Sequence, residues 1–454
     1  MLAAIFDRFI EASPVSVMLR GLLEKVFRAE RIDKIFEQQA QAQYTRELLF
    51  SDLVNLLSLV VCGIHPSINA AYKAKANEIN VTRNAIYAKL TGVETAVSAA
   101  LLRETAGELS ELVRQTGGRA PALLENYQVR ILDGNALAAT ERRLKVLRSV
   151  AAAPLPGKSL VVLDPAARLA IDLFPCEDGH AQERRLFGQV LATIEPHQLW
   201  IADRNMCTLG FLMGIAERSA AFAIREHQNL PWQALSDLQP AGQVEAGEVF
   251  EQTIEIEQDG KRLRLRRVVL RLAKATRHGD AEIVVLTNLP VTAADAVRVV
   301  VLYRERWQIE GLFLTVTQNF EGEIDTLAYP KAALLSFTLA LMAYNILATL
   351  RAALASVHGV GKIEAALSDF YVVEELQGVY RGMMIAIPPV HWQAFEQMSI
   401  LDLAQLLKNL AAQVELKRFL KQPRKKKKKK KKKPLALDSK RPHVSTAKLL
   451  ECEK

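Results

Sequence analysis

Three acids and one short stretch carry the side chains in this sequence best suited to chemistry. Asp133 follows the apolar run YQVRIL, Asp203 ends HQLWIAD, and Glu310 lies in LYRERWQIEGLF, residues 302–313, one helical turn after Arg306 and two after Tyr303. Carboxylates brought together repel one another unless a cation neutralises them. Hard oxygen donors of this kind suit Mg²⁺ or Mn²⁺, which keep several waters and accept phosphate oxygens. Two such ions about 3.5–4 Å apart activate a water or a 3′-hydroxyl and stabilise the leaving oxygen of an in-line displacement at phosphorus. Arg306 is spaced to hold a phosphate through both arms of its guanidinium. The plainer alternative is that each Asp caps a turn after its strand. With 50 acids in the chain, some fall there by chance.

For the acids to meet, the strands before Asp133 and Asp203 must be neighbours, and the helix of Glu310 must dock over them. YQVRIL is followed by SLVVLD (159–164) and RLAIDLF (168–174), two runs that read as a hairpin, then by a helix over roughly HAQERRLFGQVLATI. HQLWIAD, a helix near 207–217 and SAAFAIR complete the order strand, strand, strand, helix, strand, helix, strand. In QTIEIEQDGKRLRLRRVVLRLAK, apolar and polar residues alternate on both sides of Asp259-Gly260, which predicts a β-hairpin. AEIVVLTNLP returns to a strand, and from Ala293 the period becomes helical. On that helix Tyr303, Arg306, Glu310 and Thr317 form one stripe, while Leu302, Ile309, Phe313, Val316 and Phe320 form a second that docks on the sheet. The fold class is therefore α/β, a mixed sheet flanked by helices. An all-helical domain spans 1–120 and the core 121–225; a β-rich insertion spans 226–281, the rest of the core with C-terminal helices 282–420, and a basic disordered tail 421–454.

Composition limits the partners. The net charge is +9, but Arg424 and Lys425–Lys433 supply ten positive charges, so the rest of the chain carries −1. Consecutive cations cannot pack and favour polyanions through salt-sensitive counterion release, or else serve as a solubility tail. Cys62, Cys176, Cys207 and Cys452 lack metal-ligand spacing, and the N-terminus MLAAIFDRFIEASPV lacks a basic region before an apolar run. Both features point to a reducing, cytoplasmic setting. Residues 332–350 hold no charge, but Ser336, Thr338, Tyr344, Asn345 and Thr349 interrupt them, so a helix buried in a soluble domain is expected in place of a membrane span. No GxxxxGK[ST] motif is present, so ATP is not the expected energy source.

YRERWQIE resembles the third motif of the bacterial insertion-sequence DDE transposases, whose signature is Tyr-x2-Arg-x3-Glu-x6-Lys. LDGN (132–135) is similar to the family's first-Asp motif and IADRN (201–205) to its second; with MAYNIL (342–347) the likeness covers most of 125–350. The resemblance implies a ribonuclease H-like core, a metal-binding catalytic triad of Asp133, Asp203 and Glu310, two Mg²⁺ or Mn²⁺ ions, and cut-and-paste movement of a DNA element. It also implies double-stranded DNA (element ends and target) as substrate and a homodimer that brings two ends together. The family's lysine falls at Thr317, which can hydrogen-bond a phosphate but brings no charge. Tyr303 and Arg306 would position the cleaved strand end.

Other residues carry two readings each. NVTRNAIYAKLTG (80–92) is either a recognition helix presenting Arg83, Asn84 and Lys89 to DNA or an ordinary surface helix. Trp232 is either a platform for an unstacked base or a core aromatic. In CEDGHAQER, Glu177, Asp178, His180 and Glu183 are either a metal site or, with Asp178 as cap and Glu183 as helix-dipole compensation, purely structural; Asp164 before Pro165 reads as a turn residue.

Overall fold

The computed structural model describes residues 2–43, 45, 47–276, 279–422 and 442–452. The polylysine run lies outside the described residues. The N-terminal quarter, up to Thr116, is helical among the described residues, in keeping with its apolar periodicity. Within it, helix α1 (Arg83–Gly92) starts at Thr82, whose hydroxyl accepts from Ala85 N, and meets α2 (Thr95–Thr116) at 85°. Gly117, at φ 75°, stops α2 in the left-handed conformation that glycine adopts without strain.

Ten strands form one mixed sheet. They are β1 (Gln128–Ala136), β2 (Lys158–Asp164), β3 (Leu169–Cys176), β4 (Gln198–Ala202), β5 (Ala221–Arg225), β6 (Gln233–Ala234), β7 (Gln239–Val244), β8 (Gly247–Gln258), β9 (Lys261–Leu272) and β10 (Glu282–Thr287). The order is β3-β2-β1-β4-β5-β10-β9-β8-β6, with β7 also on β8. β1, β2 and β3 pair antiparallel, while β1, β4 and β5 pair parallel. This five-strand unit is the ribonuclease H-like arrangement. β4 is buried along its whole length, as a central parallel strand covered on both faces must be. The 226–281 segment extends this sheet, because β10 pairs antiparallel with β5 and carries the β8–β9 hairpin beyond it. Asp259 and Gly260 sit at φ 53° and 76°, the two positive values that a tight Asp-Gly hairpin turn demands.

Alternation along the strands divides the core in two. Ile131, Val161, Leu199 and Ile201 face a large cluster shared with the N- and C-terminal helices, whereas Leu132, Val162, Trp200 and Ala202 face a smaller one built on Phe187 and Phe211. The large cluster runs without a break from Phe6 to Phe419, so the helices of 1–120 share one interior with the rest of the chain.

The first three helices after the sheet are α3 (Ala296–Arg304), α4 (Trp307–Asn319) and α5 (Pro330–His358). The single helix expected across 302–313 is thus two, separated at Glu305 and Arg306. α5 is the long apolar helix, and it is enclosed by protein. Its Asn345 is fully buried and clamps the edge strand β3: its amide donates to Ala170 O and its carbonyl accepts from Ala170 N, both at 2.8 Å. Asn345 therefore satisfies buried backbone groups of another element, which a lipid-facing residue would not do.

The tail expected over 421–454 is not unstructured throughout. His443–Ser445 pairs parallel with Ala153–Leu155 and leads into a helix, Thr446–Cys452, whose Lys448 lies 3.2 Å from Asp178. Ser445 and Thr446 are buried there, so the polar sequence is held by pairing and not by an apolar face.

Candidate active site

Asp133 and Asp203 occupy equivalent places on neighbouring strands. The β1–β4 register ends at Leu132↔Ala202, so each Asp stands one residue beyond the same pair, Asp203 just past the end of β4 and Asp133 inside β1, which continues to Ala136 paired only with β2. Strand alternation puts Asp133 on the face of Ile131, the same face on which α4 buries Ile309, Leu312 and Val316. Docking α4 there brings Glu310 and Arg306 over the strand ends.

Arg306 joins the acids. Its Nη1 donates to Asp133 Oδ2 and its Nη2 to Glu310 Oε1, both at 2.7 Å, while its Nε is buried without a partner. Asp133 Oδ1 accepts from Gly134 N, and Asp203 Oδ1 accepts from Asn205 N, capping the short turn Arg204–Met206. Burial pushes the Asp133 carboxyl up to about 7; Arg306 opposes that rise, and the charges of Asp203 and Glu310 add to it. The cleft thus penalises a negative charge that the one guanidinium does not fully offset. Hard carboxylate oxygens with an unmet demand for positive charge fit a divalent cation. As the side chains stand, no three Asp, Glu, His or Cys among the described residues are grouped closely enough to ligate one ion, and Arg306 lies between two of the acids.

The other predicted residues divide into those near this cleft and those apart from it. Tyr303, half-buried at the end of α3, lies beside Arg306, and burial raises its hydroxyl pKa. Trp232 is 38% exposed, so the core-aromatic reading fails. It stacks over Arg267 (5.1 Å to the ring centroid) and lines a cavity of about 500 Å³ shared with Arg204, Asn205, Arg225 and His227, beside the Asp203 turn. Thr317 is exposed farther along α4 and returns its hydroxyl to Phe313 O and Leu314 O of its own helix. Arg83 and Asn84 are exposed at the start of α1, with Arg83 donating to Asn69; Lys89 lies over the Phe36 ring. Asp164 accepts from Ala166 N and Ala167 N as a turn residue and pairs with Arg130 at 2.9 Å.

Two residues near the acids escape sequence reasoning. Trp307, next to Arg306, is 64% exposed with the guanidinium 5.4 Å from its ring centroid, although its neighbours on the apolar stripe are buried. Glu183, read from the sequence as helix-dipole compensation or as part of a metal site with Glu177, Asp178 and His180, instead faces the Asn205 side chain and lies against Gly134. The signal that could have found it is the glycine after Asp133, where a side chain would meet that carboxylate.

The strand order and the paired acids at its carboxyl ends define a ribonuclease H-like α/β protein. Residues 158–346 match the family model described as transposase DDE domain. That span holds Asp203, Tyr303, Arg306 and Glu310, and it begins after Asp133. No curated protein matches the chain.

Proposed function

We propose that this chain is a DNA transposase of the insertion-sequence type, cutting at the ends of a DNA element and joining the freed 3′ ends to a target. The observation that carries the reading is the common position of Asp133 and Asp203 beyond Leu132↔Ala202, with Arg306 tying Asp133 to Glu310. The likeness of 158–346 to transposase DDE domains supports the class.

Asp133, Asp203 and Glu310 would hold two Mg²⁺ or Mn²⁺ ions. When bound, these ions supply charge neutralisation at the scissile phosphate and an activated water or 3′-hydroxyl. Arg306 would then exchange its carboxylate partners for phosphate oxygens, with Nε as a further donor. Tyr303, beside Arg306, would help to position the cleaved strand end, and Trp232 and Trp307 would offer ring faces to an unstacked base there. Catalysis on this scheme is mostly positioning and charge neutralisation. Arg83, Asn84 and Lys89 of α1 would contact the element ends, and Thr317 a phosphate. Bringing two ends together would take two copies of the chain.

The test is an assay with labelled end-containing DNA and a target plasmid, with Mg²⁺ or Mn²⁺ and with chelator. Divalent-cation-dependent nicking followed by joining is expected. Nicking without joining would reduce the reading to a nuclease, and no cleavage under any condition would remove it.

A further inference from the structure

Glu183 stands on the opposite side of the sheet from Arg306. It opens the short turn Glu183–Leu186, whose Leu186 and the following Phe187 belong to the smaller core cluster, the face that Leu132 and Gly134 share by alternation. A side chain at Gly134 would collide with Glu183 Oε1, so the carboxylate fills the space that a side chain would take beside Asp133. From there it reaches the Asn205 side chain, and Asn205 N donates at 2.9 Å to Asp203 Oδ1. Three residues distant in sequence thus form a line from the second face of the sheet to the acid after β4.

We propose that Glu183 is a positioning residue for Asp203, acting through Asn205 to fix the Arg204–Met206 turn and with it the Asp203 carboxylate. This rests on the reading of Asp203 as a cation ligand. The chemistry supports it in two ways. Asp203 caps its turn through backbone only, and although Met206 anchors the far end of the turn in the core, Arg204 and Asn205 next to Asp203 are exposed and not held by packing. Glu183, in contrast, is set by a buried neighbour, Leu186, and by close contact with the β1 backbone at Gly134. Groups that orient a ligand from behind typically change metal affinity by about 10- to 100-fold when removed. Gly134 belongs to the same device, because any side chain there would displace the carboxylate.

The experiment measures Mn²⁺ binding to the full chain by electron paramagnetic resonance, with thermal unfolding in parallel. Glu183→Ala is expected to weaken Mn²⁺ binding about tenfold or more, and Glu183→Gln, which keeps an acceptor for Asn205, to recover most of it. Asn205→Ala, at an exposed position where folding is not at risk, should show the same loss as Glu183→Ala. Unchanged Mn²⁺ affinity in Glu183→Ala or in Asn205→Ala would overturn the proposal. Asp203→Asn separates the two claims: if it lowers Mn²⁺ affinity and the other variants do not, only the role of Glu183 fails. If Asp203→Asn leaves Mn²⁺ binding intact, the reading of the cleft itself fails.

Discussion

Arg306 and Asp133, 173 positions apart, meet at 2.7 Å, with neither side chain more than one-fifth exposed. The contact fastens the start of α4 to β1 just past its pairing with β4 and puts a guanidinium where the acids converge. Removing one member of a buried pair leaves the other uncompensated, at a cost of about 3 kcal/mol. Arg306→Ala should therefore lower the stability of the metal-free protein by about that much and reduce end cleavage by at least about 100-fold. Lysine at 306 should rescue poorly, since a single ammonium lacks the planar fork that spans two carboxylates. Urea unfolding and single-turnover cleavage check this; wild-type values for either variant would mean that the pair is incidental.

The buried Asp133 carboxyl gives a pH signature. Its folded value, about 7, lies above its ordinary 3.8, so the folded state holds the proton more tightly than the unfolded state. The stability this contributes is complete below about pH 4 and is lost as pH rises through about 7. In metal-free protein, the melting temperature of wild type should therefore fall relative to Asp133→Asn across that window. Parallel profiles for the two proteins would contradict the origin of the shift.

Asn345 makes a structural prediction. Leucine there would leave both the N–H and the C=O of Ala170 unpaired in the interior, each costing about 1–3 kcal/mol. Asn345→Leu should destabilise the chain by about 3 kcal/mol in urea unfolding, despite being more apolar. A neutral or stabilising effect would show that the edge strand does not depend on the clamp.

How much of this was legible in the sequence varies by element. The succession of strands and helices and the Asp259-Gly260 turn were readable because strand alternation and positive-φ turns leave local marks, whereas the ribonuclease H-like order within the sheet was implied only by the resemblance of LDGN, IADRN and YRERWQIE to the transposase motifs. The break between α3 and α4 was not. Glu305 and Arg306 both keep right-handed helical angles, so the apolar stripe continues across the break with little change of phase. Alternation identifies β8 and β9 as strands but carries no information on which sheet they join, so their continuity with the core through β10 required the pairing itself. Glu183 was hidden for a similar reason. Its partners lie at 134 and 205, and within its own stretch it is only an acid in a first turn.

The charge run at 424–433 lies outside the described residues, yet its chemistry is plain. The remainder of the chain carries −1, so deleting these ten cations should weaken non-specific DNA binding and flatten its dependence on salt. Filter binding from low to moderate salt would measure the slope. An unchanged slope would mean that the folded body supplies its own basic groove.

The central claim is that Asp133, Asp203 and Glu310 act together on DNA through divalent ions. The most direct measurement is cleavage of an end-containing substrate by Asp133→Asn, Asp203→Asn and Glu310→Gln, each checked for folding and for DNA affinity. The account predicts that all three bind DNA as the wild type does and cut at least about 1000-fold more slowly, as expected when charge-positioning groups are lost. Undiminished cutting by any one of them would contradict it.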